Sequence, residues 1–183
     1  MNLAIIGSGG REHSICFKLK QSPKIKKIVC IPGNAGTKKL AINVKQDISN
    51  FNAVYKIIKK FNIDIVFVGP EQPLVEGIVD YLAKKKIRVF GPTKFASKLE
   101  GSKSFMKNLC KQNNIPTANF GIFNNLKEAS NFIKKNSTPI VVKADGLAAG
   151  KGVIICKTKK EALKNTKEII NGKFKSSSKV VLE

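Results

Sequence analysis

Met1-Asn-Leu-Ala-Ile-Ile-Gly-Ser-Gly-Gly-Arg-Glu-His13 opens a chain of 183 residues, and its reading decides the fold. The apolar run Leu3 to Ile6 is a short strand, Gly7 to Gly10 a turn that few residues other than glycine could make, and Glu12 to Gln21 a helix. The same alternation continues outward. Ile25 to Ile31 reads as a strand ending at Pro32-Gly33, and Phe51 to Phe61 as a helix. Ile63 to Val68 is a continuous apolar strand of the kind buried in parallel sheets, Leu74 to Lys85 a helix and Ile87 to Phe90 a further strand. Such a βαβ series predicts an open, parallel, doubly wound α/β sheet with any ligand at the carboxyl ends of its strands. Gly7-Ser-Gly-Gly10, Pro32-Gly-Asn-Ala-Gly36, Gly69-Pro-Glu71 and Gly91-Pro-Thr93 all fall at those ends, so four loops should converge on one edge.

After Thr93 the pattern changes. Ser102 to Asn113 reads as a helix capped by Ser102 and closed by Ile115-Pro-Thr117. Strand Phe120 to Phe123, helix Leu126 to Lys135, strands Ile140 to Lys143 and Val153 to Cys156, helix Lys160 to Asn171 and strand Lys179 to Leu182 complete a second module with hairpin-like strands. The chain stops at Glu183 just behind an apolar strand, which suggests a fold cut in the middle.

Composition narrows the function classes. The formal net charge is +22, yet Arg11 and Arg88 are the only arginines. The lysines are scattered through helices, and no aromatics are interleaved for base stacking, so the charge reads as solvated helix faces and not as a nucleic-acid surface. No stretch approaches a membrane span or a signal segment, which fits a cytoplasmic protein without a membrane partner. Cys16, Cys30, Cys110 and Cys156 have no paired spacing and read as buried free thiols.

The chemistry is concentrated in Lys143-Ala-Asp-Gly-Leu-Ala-Ala-Gly-Lys-Gly-Val153. Small residues let backbone N–H groups approach anionic oxygens, and the two lysines supply countercharge, so the loop is suited to polyphosphate. It is not a P-loop: Gly146 and Gly150 are one residue too close, and Gly152 stands where a metal-binding hydroxyl is needed. Gly7-x-Gly-Gly10 is similarly short of a dinucleotide fingerprint. Glu12 occupies its third glycine position, and no acid follows the second strand. Phosphate at the N-terminus of the first helix remains compatible with these residues. His13 reads as a structural hydrogen-bonding group, Glu71 as either a turn carboxylate or an acceptor for a ribose or amine.

Gly7-Ser-Gly-Gly-Arg-Glu-His13, Pro32-Gly-Asn-Ala-Gly-Thr37, Gly69-Pro-Glu-Gln-Pro-Leu74, Gly91-Pro-Thr93, Glu100-Gly-Ser-Lys103 and the Lys143–Gly152 loop together resemble the phosphoribosylamine–glycine ligase family of the ATP-grasp superfamily. The similarity runs through the whole chain in order, although family members are more than twice as long. It implies a substrate domain at residues 1–101, a connecting helix at 102–118 that begins the ATP-grasp, and a truncated ATP-grasp lid at 119–183. It further implies that Gly9, Gly10, Arg11, Asn34, Gly36, Thr37 and Glu71 help hold 5-phosphoribosylamine. Lys103, Lys143 and the loop residues Gly146, Ala148, Ala149, Gly150, Lys151 and Gly152 would meet ATP phosphates, and Glu183 would begin the strand that meets adenine. Glycine, 5-phosphoribosylamine and ATP would be the small-molecule partners of a monomer. Mg2+ (or Mn2+) would be held by later residues, with no metal ligand in this stretch, so the stretch alone should be inactive. A carboxylase-type ATP-grasp enzyme would share the later loop but not Gly-Gly-Arg-Glu-His, and a dinucleotide-dependent oxidoreductase would need the missing acid.

Overall fold

Apolar runs flanked by glycine produce the strands, and sparse apolar stripes produce the helices, in a computed structural model that describes residues 1–148, 150–174 and 178–183. The chain divides into two units, Met1–Ser97 and Lys98–Glu183.

In the first unit β1 (Asn2–Gly7), α1 (Gly10–Lys20), β2 (Lys27–Pro32), α2 (Ala35–Lys38), β3 (Ile42–Asn43), α3 (Phe51–Lys60), β4 (Ile65–Val68), α4 (Glu71–Glu76), α5 (Ile78–Lys84) and β5 (Arg88–Phe90) follow one another. The five strands form one parallel sheet in the order β3-β2-β1-β4-β5. Alternate residues of the central strands feed two cores. Ala4, Ile6, Val29, Ile31, Val66 and Val68 pack with Val54 and Ile58 of α3 and with Ile78, Val79 and Leu82 of α5. Leu3, Ile5, Ile28 and Cys30 pack with Cys16 of α1 on the other face. Helices on both faces make the sheet doubly wound, as the sequence indicates, and the order reverses between β1 and β4. That reversal is where loops diverge and leave a crevice.

One sequence expectation needs correction: Leu74 to Lys85 is not one helix. Gly77 adopts φ 99° and ψ 30°, and its N–H closes α4 on the carbonyls of Leu74 and Pro73 before α5 begins. This left-handed conformation is cheap only for glycine, so an uninterrupted apolar stripe hides a break. The short α2 and β3 also fall where the sequence offers only a turn.

The second unit contains α6 (Lys98–Gly101), α7 (Lys103–Gln112), β6 (Gly121–Phe123), α8 (Leu126–Lys135), β7 (Ile140–Ala144), β8 (Val153–Cys156), α9 (Lys159–Ile170) and β9 (Val180–Leu182). Its four strands are antiparallel in the order β6-β9-β7-β8. Ile140, Val142, Ala144, Val180 and Leu182 face α8 and α9, where Ile133, Ala162 and Ile169 are buried. Lys143 therefore points to the opposite face of the sheet by the two-residue period of a strand. Ser102 caps α7 by accepting from the Phe105 N–H, as its sequence position predicts. Cys16, Cys30 and Cys156 are buried free thiols, while Cys110 is half-buried.

Candidate functional site

The crevice of the first unit is built where the β1 and β4 loops part. A cavity of about 360 Å³ there is lined by the Gly7–Gly10 turn, Arg11, Glu12, Ile48, Pro70 and Glu71. Glu12, only 4% exposed, occupies the missing third glycine position of the fingerprint. Its carboxylate accepts the Gly9 N–H at 2.6 Å and lies so close to the β4 loop that a Cβ on Gly69 would come within 2.0 Å of Oε1. A carboxylate thus fixes this turn where dinucleotide folds use a bare glycine. Arg11 donates to the Gly69 carbonyl and, at 2.9 Å, to Glu71. The Glu71 carboxyl is held below the usual range, first by its own backbone N–H at the start of α4 and then by Arg11.

The second glycine loop is tied to the first. Asn34 donates to the carbonyls of Ser8 and Gly9 at 3.0 and 3.1 Å, while its own side-chain oxygen accepts the Thr37 N–H. Thr37 is fully buried and its hydroxyl accepts the Asn34 N–H at 2.7 Å. The ring of His13 lies against Gly36, where a Cβ would approach it to 2.6 Å. Gly9, Gly10, Arg11, Asn34 and Glu71 therefore come together at one edge of the sheet. Thr37 and Gly36 support that edge from beneath, and His13 acts as packing.

In the second unit Lys143 pairs in register with Val153 of β8, so the phosphate-type loop is the connection of an antiparallel hairpin. The loop's feet are close: Ala144 N–H donates to the Gly152 carbonyl at 2.7 Å, and a Cβ on Gly152 would strike that of Ala148 at 2.6 Å. At the far side Gly150 has φ +77° with nothing within 4 Å of the place its Cβ would take. This is bare backbone open to an anion, and it fits a polyphosphate better than a packed turn. Lys151 is exposed beside it; Ala149 lies outside the described residues.

Asp145 anchors the start of the loop. It is 6% exposed and accepts hydrogen bonds from the hydroxyls of Ser102 and Ser104 and from the N–H groups of Ser104 and Gly146. Burial pushes its carboxyl up, but these bonds outweigh it and hold the group below the usual range. Lys103 reaches the same place, donating to the Gly146 carbonyl at 2.9 Å. Its ammonium pKa is lowered by burial, against the pull of Asp145 and Glu100. Lys143 and Lys107 both meet Glu183, each at 2.5 Å, on opposite carboxylate oxygens. Burial pushes the Glu183 carboxyl up, and the two lysines more than reverse the shift. Sequence reasoning singled out Lys103, Lys143 and the loop but not Ser104, Lys107 or the anchoring role of Asp145. Asp145 lay inside the quoted motif, and its acidity amid small residues was the one available signal.

An antiparallel sheet backed by two helices, with a glycine hairpin and converging lysines following a doubly wound domain, defines an ATP-grasp protein. Profiles described as "Phosphoribosylglycinamide synthetase, N domain" and "Phosphoribosylglycinamide synthetase, ATP-grasp (A) domain" match residues 1–100 and 101–183. The chain belongs to the phosphoribosylglycinamide synthetase family. Among its relatives, the phosphoribosylamine–glycine ligase of Mesorhizobium japonicum is 47% identical over 100% of this chain and 43% of its own length. That of Rhodopirellula baltica is 50% identical over 88% of this chain and 38% of its own. The crystal structure of phosphoribosylamine–glycine ligase from Thermotoga maritima superposes with a TM-score of 0.82 at 32% identity, covering 100% of this chain and 43% of that one. The biotin carboxylase domain of Hydrogenobacter thermophilus 2-oxoglutarate carboxylase shares the fold, with a TM-score of 0.77 at 20% identity over 100% of this chain and 43% of that one. The chain thus spans less than half the length of the ligases it matches.

Proposed function

We propose that this chain forms the N-terminal portion of an enzyme joining glycine to 5-phosphoribosylamine with hydrolysis of ATP, a step of purine biosynthesis. The observation that carries this reading is the family match through both units in order, and the glycine crevice of the first unit and the lysine-flanked hairpin of the second support it. ATP transfers its γ-phosphoryl group to the glycine carboxylate; the amine of phosphoribosylamine then attacks the acyl carbon, phosphate leaves and the amide forms. Such transfer needs positioning and charge neutralisation more than a protein nucleophile.

In this reading the crevice of the first unit takes the phosphoribosyl group. Gly10 presents its backbone N–H at the start of α1, where the helix dipole favours phosphate, Gly9 lines the crevice with its own N–H held by Glu12, and Arg11 and Glu71 face the ribose and amine. In the second unit Lys103, Lys143 and Lys151 neutralise phosphate oxygens, and the glycine loop between Lys143 and Val153 lies over them and excludes water. Glu183 carries its strand to adenine. Domain limits near residues 101 and 118 belong to the same proposal. A divalent cation, when bound, would supply further countercharge to the phosphates. Among the described residues no group of three His, Cys, Asp or Glu side chains could hold one, so no step here runs through it.

Free thiols and scattered lysines support a cytoplasmic monomer acting on small molecules, without nucleic acid or membrane partners. No described helix is long and apolar enough to cross a membrane. The 183-residue chain alone should bind MgATP weakly and not turn over.

The test is glycine- and phosphoribosylamine-dependent ADP formation by the longest translation product that carries this sequence. Its absence, with the protein folded, would reject the reading. In that product Lys143→Ala should weaken ATP use by about 1.5–3 kcal/mol, the size of one charge-assisted contact. Unchanged ATP dependence in steady-state kinetics would remove Lys143 from the site.

A further inference from the structure

We propose that Lys107 is a positioning residue for the nucleotide: by holding one oxygen of Glu183 it leaves Lys143 with charge to spare for a polyphosphate. The inference rests on the ATP-binding reading above and concerns a residue that reading does not use.

Lys107 follows Lys103 by one turn of α7 and is 4% exposed, a rare burial for lysine. Its ammonium sits 2.5 Å from Glu183 Oε1, donates to the Thr117 hydroxyl at 2.6 Å and lies 5.6 Å from the Phe120 ring. These partners fix it from three directions. The other Glu183 oxygen meets Lys143, whose side chain is 23% exposed against 10% for Glu183. Lys143 is thus the member of the triad that solvent or a ligand can reach.

Glu183 cannot easily withdraw. Its N–H and carbonyl exchange both hydrogen bonds with Val141, at 3.0 and 2.7 Å, so its backbone is locked beside the strand that carries Lys143. The side chains of the triad, two ammonium groups and one carboxylate, carry a net charge of +1. Without Lys107 the remainder is a neutral pair in which Glu183 can turn both oxygens on Lys143. An incoming phosphate would then have to displace a carboxylate before gaining an ammonium. In a site this poorly solvated, that competition is weakly screened.

The experiment is an NMR titration of the 15N-labelled chain with MgATP up to millimolar concentration, so that weak binding is still measured. Lys107→Met should raise Kd about tenfold, and Lys107→Arg should keep it within about threefold of the unsubstituted chain. Adding Glu183→Gln to Lys107→Met should restore most of the loss, because Lys143 is released. A purely structural role predicts no such recovery, since two core defects would add. Should Lys107→Met fail to fold, Glu183→Gln alone decides: tighter binding supports the proposal, equal or weaker binding overturns it. Unchanged Kd in Lys107→Met, or no recovery in the double variant, overturns this inference and leaves the functional reading standing. No binding by the unsubstituted chain up to that concentration also overturns the inference, while the functional reading stands or falls on ADP formation by the longer product.

Discussion

Asp145 shows how one buried side chain can set the start of a loop. Its carboxylate collects donors from Ser102, Ser104 and Gly146, joining the start of α7 to the start of the glycine hairpin. Because its folded-state pKa is depressed, the stability it contributes is fully present above the ordinary carboxylate value of about 4 and is lost as pH falls through the lower folded value. Asp145→Asn should cost about 2 kcal/mol near neutral pH and flatten the acid limb of the stability curve. Urea denaturation of both proteins at several pH values from neutral to about pH 3 checks this. An unchanged acid limb would show that the cluster is not where the protons go. The residues that carry such networks were the least legible in the sequence. Asp145 and Lys107 act through partners about 40 and 76 positions away, and no local spacing announces that. Glu12 stood in plain view as a defect in a glycine motif, yet its role in filling the gap between two loops needed the β1–β4 pairing.

At the scale of the element, what was legible followed from pattern length. Strands of the central sheet are continuous apolar runs, and α3, α8 and α9 have clear stripes, so each was placed within a residue or two. Elements made by capping and pairing escaped: α2 is a single turn held by Asn34 and Thr37, and β3 is two residues paired to Val29 and Cys30. Neither has room for a period. The same capping chemistry gives α9 a firm start, where Thr158 accepts the Glu161 N–H and Glu161 reaches back to the Thr158 N–H. Thr158→Ala should cost about 1 kcal/mol, with little loss of helix once folded. A change below about 0.3 kcal/mol in chemical denaturation would mean that packing of Ala162 and Ile169 alone defines the helix.

At the scale of the whole molecule, each unit has its own core. The first is closed by helices on both faces of its sheet, the second by α8 and α9 on one face. Residues 1–97 produced alone should therefore give a dispersed amide spectrum and a cooperative thermal transition. Loss of both would show that the parallel sheet needs the rest of the chain. The thiols follow the same division, and they have a practical consequence. Cys16 on the buried face of α1 meets Cys30 of β2, with burial and then its thiol neighbour pushing Cys30 to about 12, and burial raises Cys156 in the other core. Thiolate is the reacting form, so alkylating reagents should pass these three by while the fold holds. Cys110, half-buried on the helix that also carries Lys103 and Lys107, is left as a natural attachment point. A maleimide dye could be placed beside the proposed nucleotide site of the native sequence without engineering a single residue.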